Sequence, residues 1–478
     1  MTKTAAIIGG GVIGGGWLAR FVLNGWDVRV FDPDPEAARK IDAVLANARR
    51  AFPMLYDTAL PTEGNITFCD TIGDAVTGAS WVQESVPERL DMKHAVYQEI
   101  AKSVVSAAII GSSTSGFKPS ELQDGMDCAA QLVVTHPFNP VYLLPLIELV
   151  PSAQNPTEIV DRAKTILTSL GLFPLHVRKE IDAHIADRFL EAVWREGLWL
   201  INDGIATTEE IDNAIRYGFG LRWAQMGLFE TYRIAGGEAG MKHFIAQFGP
   251  CLKWPWTKLM DVPELTDELV DTIGAQSDDQ ADGKSIRELE RLRDDNLVAM
   301  MRALKGQDSA AGALINTHEK SFRPTIDATQ ATPVVSANRI IPVDWTDYNG
   351  HMNESRYGQV FSDAADVMMS AVGADETYVA NGHSFFTVDI HIQFIKETHA
   401  GDTISVQSQL LEAKGKKLRL HHRMLAADGT LLATGEQLLI HVSLETRRAC
   451  EPQPELAENL ATMAAAHAAL PDPKQTRG

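Results

Sequence analysis

The sequence has little positive charge and no long apolar run. Its 478 residues carry 43 Lys and Arg against 63 Asp and Glu, which gives a formal net charge of -20. A chain this acidic is repelled by nucleic acid and by anionic membrane surfaces, so we expect neither as a partner. No apolar stretch approaches the roughly 18 residues that a membrane-spanning helix needs. These absences predict a cytoplasmic enzyme that acts on small molecules.

Cysteine is scarce as well. The four cysteines lie far apart, and none forms the C-x-x-C spacing of a zinc or redox site: Cys69, Cys128, Cys251 and Cys450. Such spacing indicates reduced thiols rather than a disulfide framework. Because no other metal-ligand motif occurs, we predict no metal site.

A glycine-rich motif stands at the start of the chain. A short apolar strand, residues 5–8, leads into Gly9-x-Gly11-x-x-Gly14, then a helix, and then a second strand that ends at Asp32. In a β-α-β unit such glycines let the backbone approach a pyrophosphate, and the acid accepts hydrogen bonds from ribose hydroxyls. Since a carboxylate repels a 2′-phosphate and no Arg follows it, the motif predicts NAD. The alternative is a capped glycine turn that binds no ligand.

The pattern of apolar segments divides the chain into parts. Residues 1–182 alternate short strands with helices, as in a doubly wound parallel sheet, whereas strand signals nearly vanish in 183–325. After a predicted linker over 326–335, residues 336–448 show a strand, a long helix and further strands, which is an α+β pattern. Residues 449–478 are expected to form a loosely held tail.

Three separated motifs resemble those of the 3-hydroxyacyl-CoA dehydrogenase family. They are Glu88 with Lys93, the segment Ser113-Thr114-Ser115, and His136-Pro137-Phe138-Asn139-Pro140 followed by Glu148. Ser113 replaces an Asn of the family pattern. The resemblance implies an α/β Rossmann-type NAD domain and an all-α C-terminal domain like that of 6-phosphogluconate dehydrogenase.

The same resemblance implies roles for individual side chains. His136 would be the acid/base, and Glu148 would orient and polarise it. Ser115 and Asn139 would bind the reacting oxygen, and Glu88 and Lys93 would contact the nicotinamide ribose. These roles suit alcohol oxidation, because imidazole has a pKa near neutral pH and can take up a hydroxyl proton. A structural histidine is the alternative for His136 considered alone.

Other features argue against an acyl-CoA as the dehydrogenase substrate. Residues 51–88 contain no Lys or Arg, where relatives carry lysines, and they contain six acids. Asp187, Glu191 and Trp194 fall on one stripe of a predicted helix, where a quaternary ammonium group could bind. The further candidates for substrate contact are Arg222 and Trp223. The alternative is that these rings belong to the core or to a dimer interface.

Two segments, residues 217–224 and 248–257, closely resemble the carnitine 3-dehydrogenases within this family. That resemblance implies L-carnitine as the substrate. It also implies a homodimer, since the helical domains of these dehydrogenases associate. The runner-up is a 3-hydroxyacyl-CoA dehydrogenase.

A fourth motif lies in the C-terminal third. Asp347, Gly350, His351 and Asn353 match the D-x-x-G-H-x-N turn of hotdog-fold acyl-CoA thioesterases. The resemblance implies a hotdog domain in which Asp347 acts as nucleophile or general base. By analogy with fused proteins of carnitine breakdown, the thioester would be betainyl-CoA. The alternatives are a thioesterase for an acyl-CoA dehydrogenase product, and a CoA-binding or dimerisation module without catalysis.

Overall fold

The computed structural model describes residues 3–235, 238, 240–250, 257, 264, 266–322, 326–471 and 473. The chain forms two compact units. Unit 1 comprises residues 1–49 and 62–318, and unit 2 comprises residues 50–61 and 319–478. None of the described helices is both long and apolar enough to cross a membrane.

Unit 1 contains an eight-stranded sheet in the order β3-β2-β1-β4-β5-β6-β7-β8. Its strands are β1 (Thr4–Ile8), β2 (Asp27–Phe31), β3 (Ile66–Phe68), β4 (Trp81–Glu84), β5 (Ile109–Ser112), β6 (Leu132–Pro137), β7 (Leu146–Val150) and β8 (Phe173–His176). Every pairing is parallel except that of β6 with β7. The buried strands are short and almost wholly apolar, as expected for a sheet covered by helices on both faces. The predicted doubly wound sheet is confirmed.

Six helices of unit 1 belong to the sheet domain: α1 (Val12–Val22), α2 (Ala37–Ala51), α3 (Ile72–Val76), α4 (Leu90–Ala101), α5 (Pro119–Leu122) and α6 (Thr157–Ser169). The segment that follows is helical, as predicted. Its helices are α7 (Ala186–Asn202), α8 (Thr208–Ala214), α9 (Gly220–Ala235), α10 (Gly240–Phe248), α11 (Asp267–Ala281), α12 (Ile286–Gly306) and α13 (Ala310–Lys320). A π-helix, Ile215–Phe219, joins α8 to α9.

Unit 2 is an antiparallel sheet wrapped on a long helix. The strands are β9 (Val334–Ile340), β10 (His383–Phe394), β11 (Thr403–Lys414), β12 (Lys417–Ala426) and β13 (Leu431–Ser443), in the order β10-β13-β12-β11-β9. The helices are α14 (Glu354–Ala371), α15 (Glu376–Ala380) and α16 (Pro454–His467). Tyr357, Val360 and Phe361 of α14 pack into the core between helix and sheet. This is the α+β hotdog arrangement that the sequence predicts.

Two segments of unit 2 differ from the expected organisation. The predicted tail contains α16, whose Leu456, Leu460 and Met463 are buried in the core of the unit. The helix is therefore packed rather than loosely held, because its apolar residues recur at helical spacing. Residues 50–61 also belong to unit 2, where Asp57 lies 3.5 Å from the guanidinium of Arg339.

Candidate active sites

The glycine-rich loop between β1 and α1 has the geometry of a dinucleotide site. Gly9 has φ +96°, and a Cβ there would lie 2.7 Å from the carbonyl oxygen of Ser85. A Cβ on Gly14 would overlap the carbonyl of Gly9, whereas Gly11 faces open space. Gly9 and Gly14 therefore require glycine for close packing, and Gly11 leaves room for a phosphate.

The surroundings of this loop also fit NAD. The N-terminus of α1 has no side-chain cap and no acid in its first turn, so its N–H groups suit an anion. Asp32, at the end of β2, accepts hydrogen bonds from the backbone N–H of Gly10 at 2.6 Å and of Asp34 at 2.8 Å. The carboxylate thus stands beside the loop, where the ribose of a bound dinucleotide would lie.

His136 and Glu148 form a buried pair on the two antiparallel strands of the sheet. His136 on β6 stands directly opposite Glu148 on β7 in the strand register. The Nδ1 atom of His136 lies 3.0 Å from Oε2 of Glu148. The spacing of twelve residues is therefore that of a hairpin, which places the two side chains on one face of the sheet.

Helix α7 holds the second oxygen of this carboxylate. Oε1 of Glu148 accepts hydrogen bonds from the backbone N–H groups of Ile185 at 2.7 Å and Ala186 at 2.8 Å. Burial by itself would raise the pKa of Glu148, but hydrogen bonds from His136 and from these amides outweigh it and lower the pKa. Because an ionised Glu148 can only accept a hydrogen bond, it favours the His136 tautomer with the proton on Nδ1.

Glu88 organises the loop that follows β5. Its Oε1 accepts hydrogen bonds from the Thr114 hydroxyl and from the backbone N–H groups of Ser115 and Gly116. Burial favours a raised pKa for Glu88, but the bond from Thr114 and the charge of Lys93 lower it. Ser115 is exposed at the surface of this loop, and Asn139 is exposed just after β6.

Lys93 is almost completely buried. Its side chain is only 1% exposed, and its Nζ lies 2.8 Å from Glu84 Oε1 and 3.3 Å from Glu88 Oε2. Glu84 also accepts hydrogen bonds from Tyr97 and Ser112, and burial raises the pKa of Tyr97 well above its usual value. Lys93 is thus part of a buried polar cluster that supports the Glu88 loop. Its predicted contact with the ribose stays a prediction.

His184 is a residue that sequence reasoning missed. It is fully buried, and its ring lies 5.5 Å from the ring of His136. Burial and the neighbouring His136 lower the pKa of His184, so it stays neutral near pH 7. The signal in the sequence was a histidine two residues before α7, next to the segment that also supplies the amides for Glu148.

The predicted substrate stripe lies on α7, as expected from its spacing. Asp187 is half-buried and acts electrostatically on His184, whose ring lies 5.5 Å from the ring of His136. Glu191 lies 3.7 Å from Arg195, and Trp194 is 63% exposed. The stripe therefore runs outward from the pair along one side of the helix.

The remaining substrate candidates lie farther along the helical domain. Arg222 and Trp223 are on the first turn of α9, and the Trp223 ring contacts the Phe219 ring in a tilted arrangement with ring centroids 4.6 Å apart. The two tryptophans of the segment 248–257 fall outside the described residues.

The acidic stretch between residues 51 and 88 does not act as one surface. Glu84 is buried against Lys93, and Glu63 forms a 2.7 Å ion pair with Arg49. Asp57 belongs to unit 2. These three of the six carboxylates in the stretch therefore have structural partners of their own.

Asp347 lies in a tight turn before α14. Its Oδ1 accepts hydrogen bonds from the backbone N–H groups of Asn349 at 2.8 Å and His351 at 3.2 Å, and Gly350 has φ +80°. Asn353 caps the helix by accepting from the N–H of Ser355. The turn holds a half-buried carboxylate next to a helix N-terminus, and the action of Asp347 on a thioester stays a prediction.

Comparison with protein families finds three matches along the chain, in the same order as the sheet domain, the helical segment and unit 2. Residues 4–181 match the 3-hydroxyacyl-CoA dehydrogenase NAD binding domain, and residues 184–271 match its C-terminal domain. Residues 341–460 match the thioesterase-like superfamily.

Relatives of known name extend over the whole chain. An L-carnitine dehydrogenase/betainyl-CoA thioesterase of Ruegeria pomeroyi is 64% identical over 98% of this chain and 98% of its own. The chain belongs to the L-carnitine dehydrogenase/betainyl-CoA thioesterase family. The cofactor of its first domain is accordingly NAD, as the glycine loop predicts.

Two further proteins match only the dehydrogenase part of the chain. An L-carnitine dehydrogenase of Mesorhizobium japonicum is 61% identical but covers only 66% of this chain, along 89% of its own length. A crystal structure of 5-formyl-3-hydroxy-2-methylpyridine 4-carboxylic acid 5-dehydrogenase, described as an NAD+ dependent dismutase, has 27% identity and a TM-score of 0.54. It covers 64% of this chain and 99% of that one. The dehydrogenase part therefore has relatives in which it occurs without a thioesterase part.

Proposed function

We propose that this protein oxidises L-carnitine to 3-dehydrocarnitine with NAD and hydrolyses betainyl-CoA to glycine betaine and CoA. The observation that carries the first activity is the His136–Glu148 pair on β6 and β7, beside a loop that fits NAD. The second rests on the Asp347 turn. Both agree with the names of relatives that match the chain over its full length.

The catalytic pair supplies proton transfer in the dehydrogenase. Glu148 stays ionised and holds a proton on Nδ1 of His136, so Nε2 takes the proton from the C3 hydroxyl of carnitine. The imidazolium that forms is stabilised by the carboxylate 3.0 Å away. When bound, NAD+ supplies the acceptor for the hydride that leaves C3. Ser115 and Asn139 are proposed to hold the reacting oxygen.

The trimethylammonium group of carnitine is proposed to bind along the α7 stripe. Asp187 and Glu191 supply negative charge, and Trp194 offers an exposed aromatic face. A cation on an aromatic face gains about 0.5–2 kcal/mol. Arg222 is proposed to pair with the carnitine carboxylate, and Trp223 to pack beside it.

In unit 2 the carboxylate of Asp347 is proposed to act on the thioester. It either attacks the carbonyl carbon or takes a proton from the attacking water, and CoA leaves as the thiol. The net reaction consumes one water and forms a carboxylate. The helix N-terminus at α14 favours the negative charge that develops on the carbonyl oxygen.

The decisive experiment compares substrates on the full-length enzyme. We expect NADH formation with L-carnitine to exceed by far that with 3-hydroxybutyryl-CoA, and thiol release from betainyl-CoA to occur in the same preparation. Asp347→Ala should reduce thiol release roughly 10²- to 10⁴-fold and leave NADH formation unchanged. The reverse substrate ranking would support the acyl-CoA dehydrogenase alternative. Unchanged thiol release in Asp347→Ala would support a non-catalytic hotdog domain.

We also infer a cytoplasmic homodimer. Cys69, Cys128 and Cys450 are all free thiols, as expected in a reducing compartment. Strand β10 forms one edge of the sheet in unit 2, and its residues 387–391 are exposed on both faces. An edge strand of this kind exposes unpaired N–H and C=O groups that a second copy could pair.

A further inference from the structure

Three metal-ligating side chains meet beside the Asp347 turn. His351, Glu397 and His399 each offer one ligand atom, and these atoms all lie within 4.8 Å of one another. Nε2 of His351 lies 3.6 Å from Glu397, and the rings of His351 and His399 are 5.0 Å apart in an edge-to-face arrangement. The sequence offered no motif for this cluster, because one histidine is 46 residues before the Glu in the chain.

The backbone fixes the positions of these side chains. His351 and His399 are paired in an isolated antiparallel bridge, and the N–H of Met352 donates to the carbonyl of Thr398 at 2.8 Å. Two chain segments from separate parts of unit 2 are therefore locked together at the cluster. An ion would find its ligands already close, so binding would require little ordering of the chain.

A carboxylate also stands behind one of the ligands. Oδ2 of Asp402 accepts hydrogen bonds from the backbone N–H of His399 at 2.8 Å and from the Thr398 hydroxyl at 3.0 Å. The same oxygen lies 3.6 Å from the ring Nδ1 of His399. In metal sites a carboxylate in this position fixes the tautomer and orientation of a ligating imidazole.

The donor set selects the class of ion. Two imidazoles and a carboxylate suit Zn²⁺ and its neighbours in the transition series, whereas Mg²⁺ and Ca²⁺ prefer oxygen ligands. Zn²⁺ binds nitrogen and oxygen at about 2.0–2.2 Å, so donors around one ion stand roughly 3–4 Å apart. The present donor atoms lie within 4.8 Å of one another, so binding of an ion requires the three side chains to move closer together.

We propose that His351, Glu397 and His399 form a Zn²⁺-type binding site that braces the turn carrying Asp347. Two hydrogen bonds join the backbone of His351 to Asp347. The His351 N–H donates to Oδ1 of Asp347, and the His351 carbonyl accepts from the Asp347 N–H at 2.9 Å. An ion on the His351 ring therefore restrains the residue that holds this carboxylate. The partial exposure of all three ligands leaves positions for water on the ion.

The test measures binding to the full-length protein after treatment with a chelator and its removal. Isothermal titration with Zn²⁺ should show one ion bound per chain, and Mg²⁺ should show none. His399→Ala and Glu397→Gln should abolish this binding event. Asp402→Asn should weaken it roughly 10- to 100-fold, because that residue only orients a ligand.

A control and a folding check keep the result interpretable. His243→Ala removes an exposed histidine of α10 and should leave the stoichiometry and affinity unchanged. The variants of the cluster should retain the circular dichroism and metal-free unfolding temperature of the parent. Two results would contradict the proposed site and indicate non-specific binding to surface residues. One is Zn²⁺ binding by the wild type that is no tighter than binding by His399→Ala, and the other is a loss of Zn²⁺ binding in His243→Ala equal to that in His399→Ala. The result is independent of the thioester that unit 2 hydrolyses.

Discussion

The electrostatics of the dehydrogenase site depend on how Glu148 is held. Its two oxygens face different partners, with His136 on one side and the amides at the start of α7 on the other. Glu148→Gln keeps the shape but removes the charge that fixes the imidazole tautomer. We expect kcat for carnitine oxidation to fall roughly 10²- to 10⁴-fold. The KM for NAD should change little, and the absorbance of NADH provides the measurement.

A matched variant separates this effect from a general loss of acid side chains. Glu158→Gln removes an exposed carboxylate from the first turn of α6 in the same unit, and it should leave kcat unchanged. Thiol release by unit 2 should persist in both variants. This activity serves as the control that the variant proteins are folded. A Glu148→Gln enzyme with kcat within twofold of wild type would contradict the assigned role.

At the residue scale, the side chains that could be predicted from the sequence are those whose partners lie within the same motif. His136 and Glu148 were found because one hairpin brings them together, and Asp32 because it ends the second strand. His184 and Glu84 were missed, since their importance comes from burial beside partners on other strands and helices. His351 was named for the thioesterase motif, but its proximity to His399 was missed for the same reason. Their pairing depends on a bridge between distant segments.

At the element scale, strand β10 exposes apolar side chains at one edge of the sheet in unit 2. Val388 and Ile390 are 57% and 40% exposed, on an edge strand with apolar character on an open face. Replacing both by Lys places charge where a second copy would pair. Monomeric proteins use charged residues on edge strands in this way to prevent association. We expect the mass in solution, measured by light scattering, to fall from dimer to monomer.

The opposite edge of the same sheet offers the control. Val335 on β9 is also β-branched and half exposed, and Val335→Lys should leave the dimer intact. A wild-type monomer would refute the homodimer. A Val388→Lys/Ile390→Lys protein that remains dimeric would show that the contact lies elsewhere.

The elements themselves were mostly predictable from periodicity. The strands of both sheets and helices α7 and α14 follow from apolar spacing, and N-caps mark the start of α8 at Thr207 and of α14 at Asn353. The packing of α16 was not predicted, because an Ala- and Pro-rich terminal segment has the composition of a tail. Whether such a helix docks depends on a groove that only the folded sheet provides. The membership of residues 50–61 in unit 2 had no sequence signal at all.

At the scale of the whole molecule, each unit buries a histidine that resists protonation. Burial lowers the pKa of His318 in unit 1 to about 4, and the charge of Arg20 adds to this effect. Burial likewise lowers the pKa of His422 in unit 2 to about 4. His422 lies between Ser408 and Gln437, with which it forms hydrogen bonds of 2.6 and 3.1 Å.

These shifts predict how the free energy of unfolding changes with pH. Below about pH 6.5 each of these histidines is protonated in the unfolded chain. In the folded chain the same histidine stays neutral until the pH falls to about 4. Stability is therefore full above pH 6.5 and falls across this window, by about 1.4 kcal/mol per histidine at pH 5.5. Urea denaturation at pH 7.5 and 5.5 should show this loss. His422→Gln should reduce the pH dependence of unit 2 by that amount, although its stability at pH 7.5 also falls. The exposed His391→Gln should leave the pH dependence as it is, and an identical slope in all three proteins would show that His422 is not the group responsible.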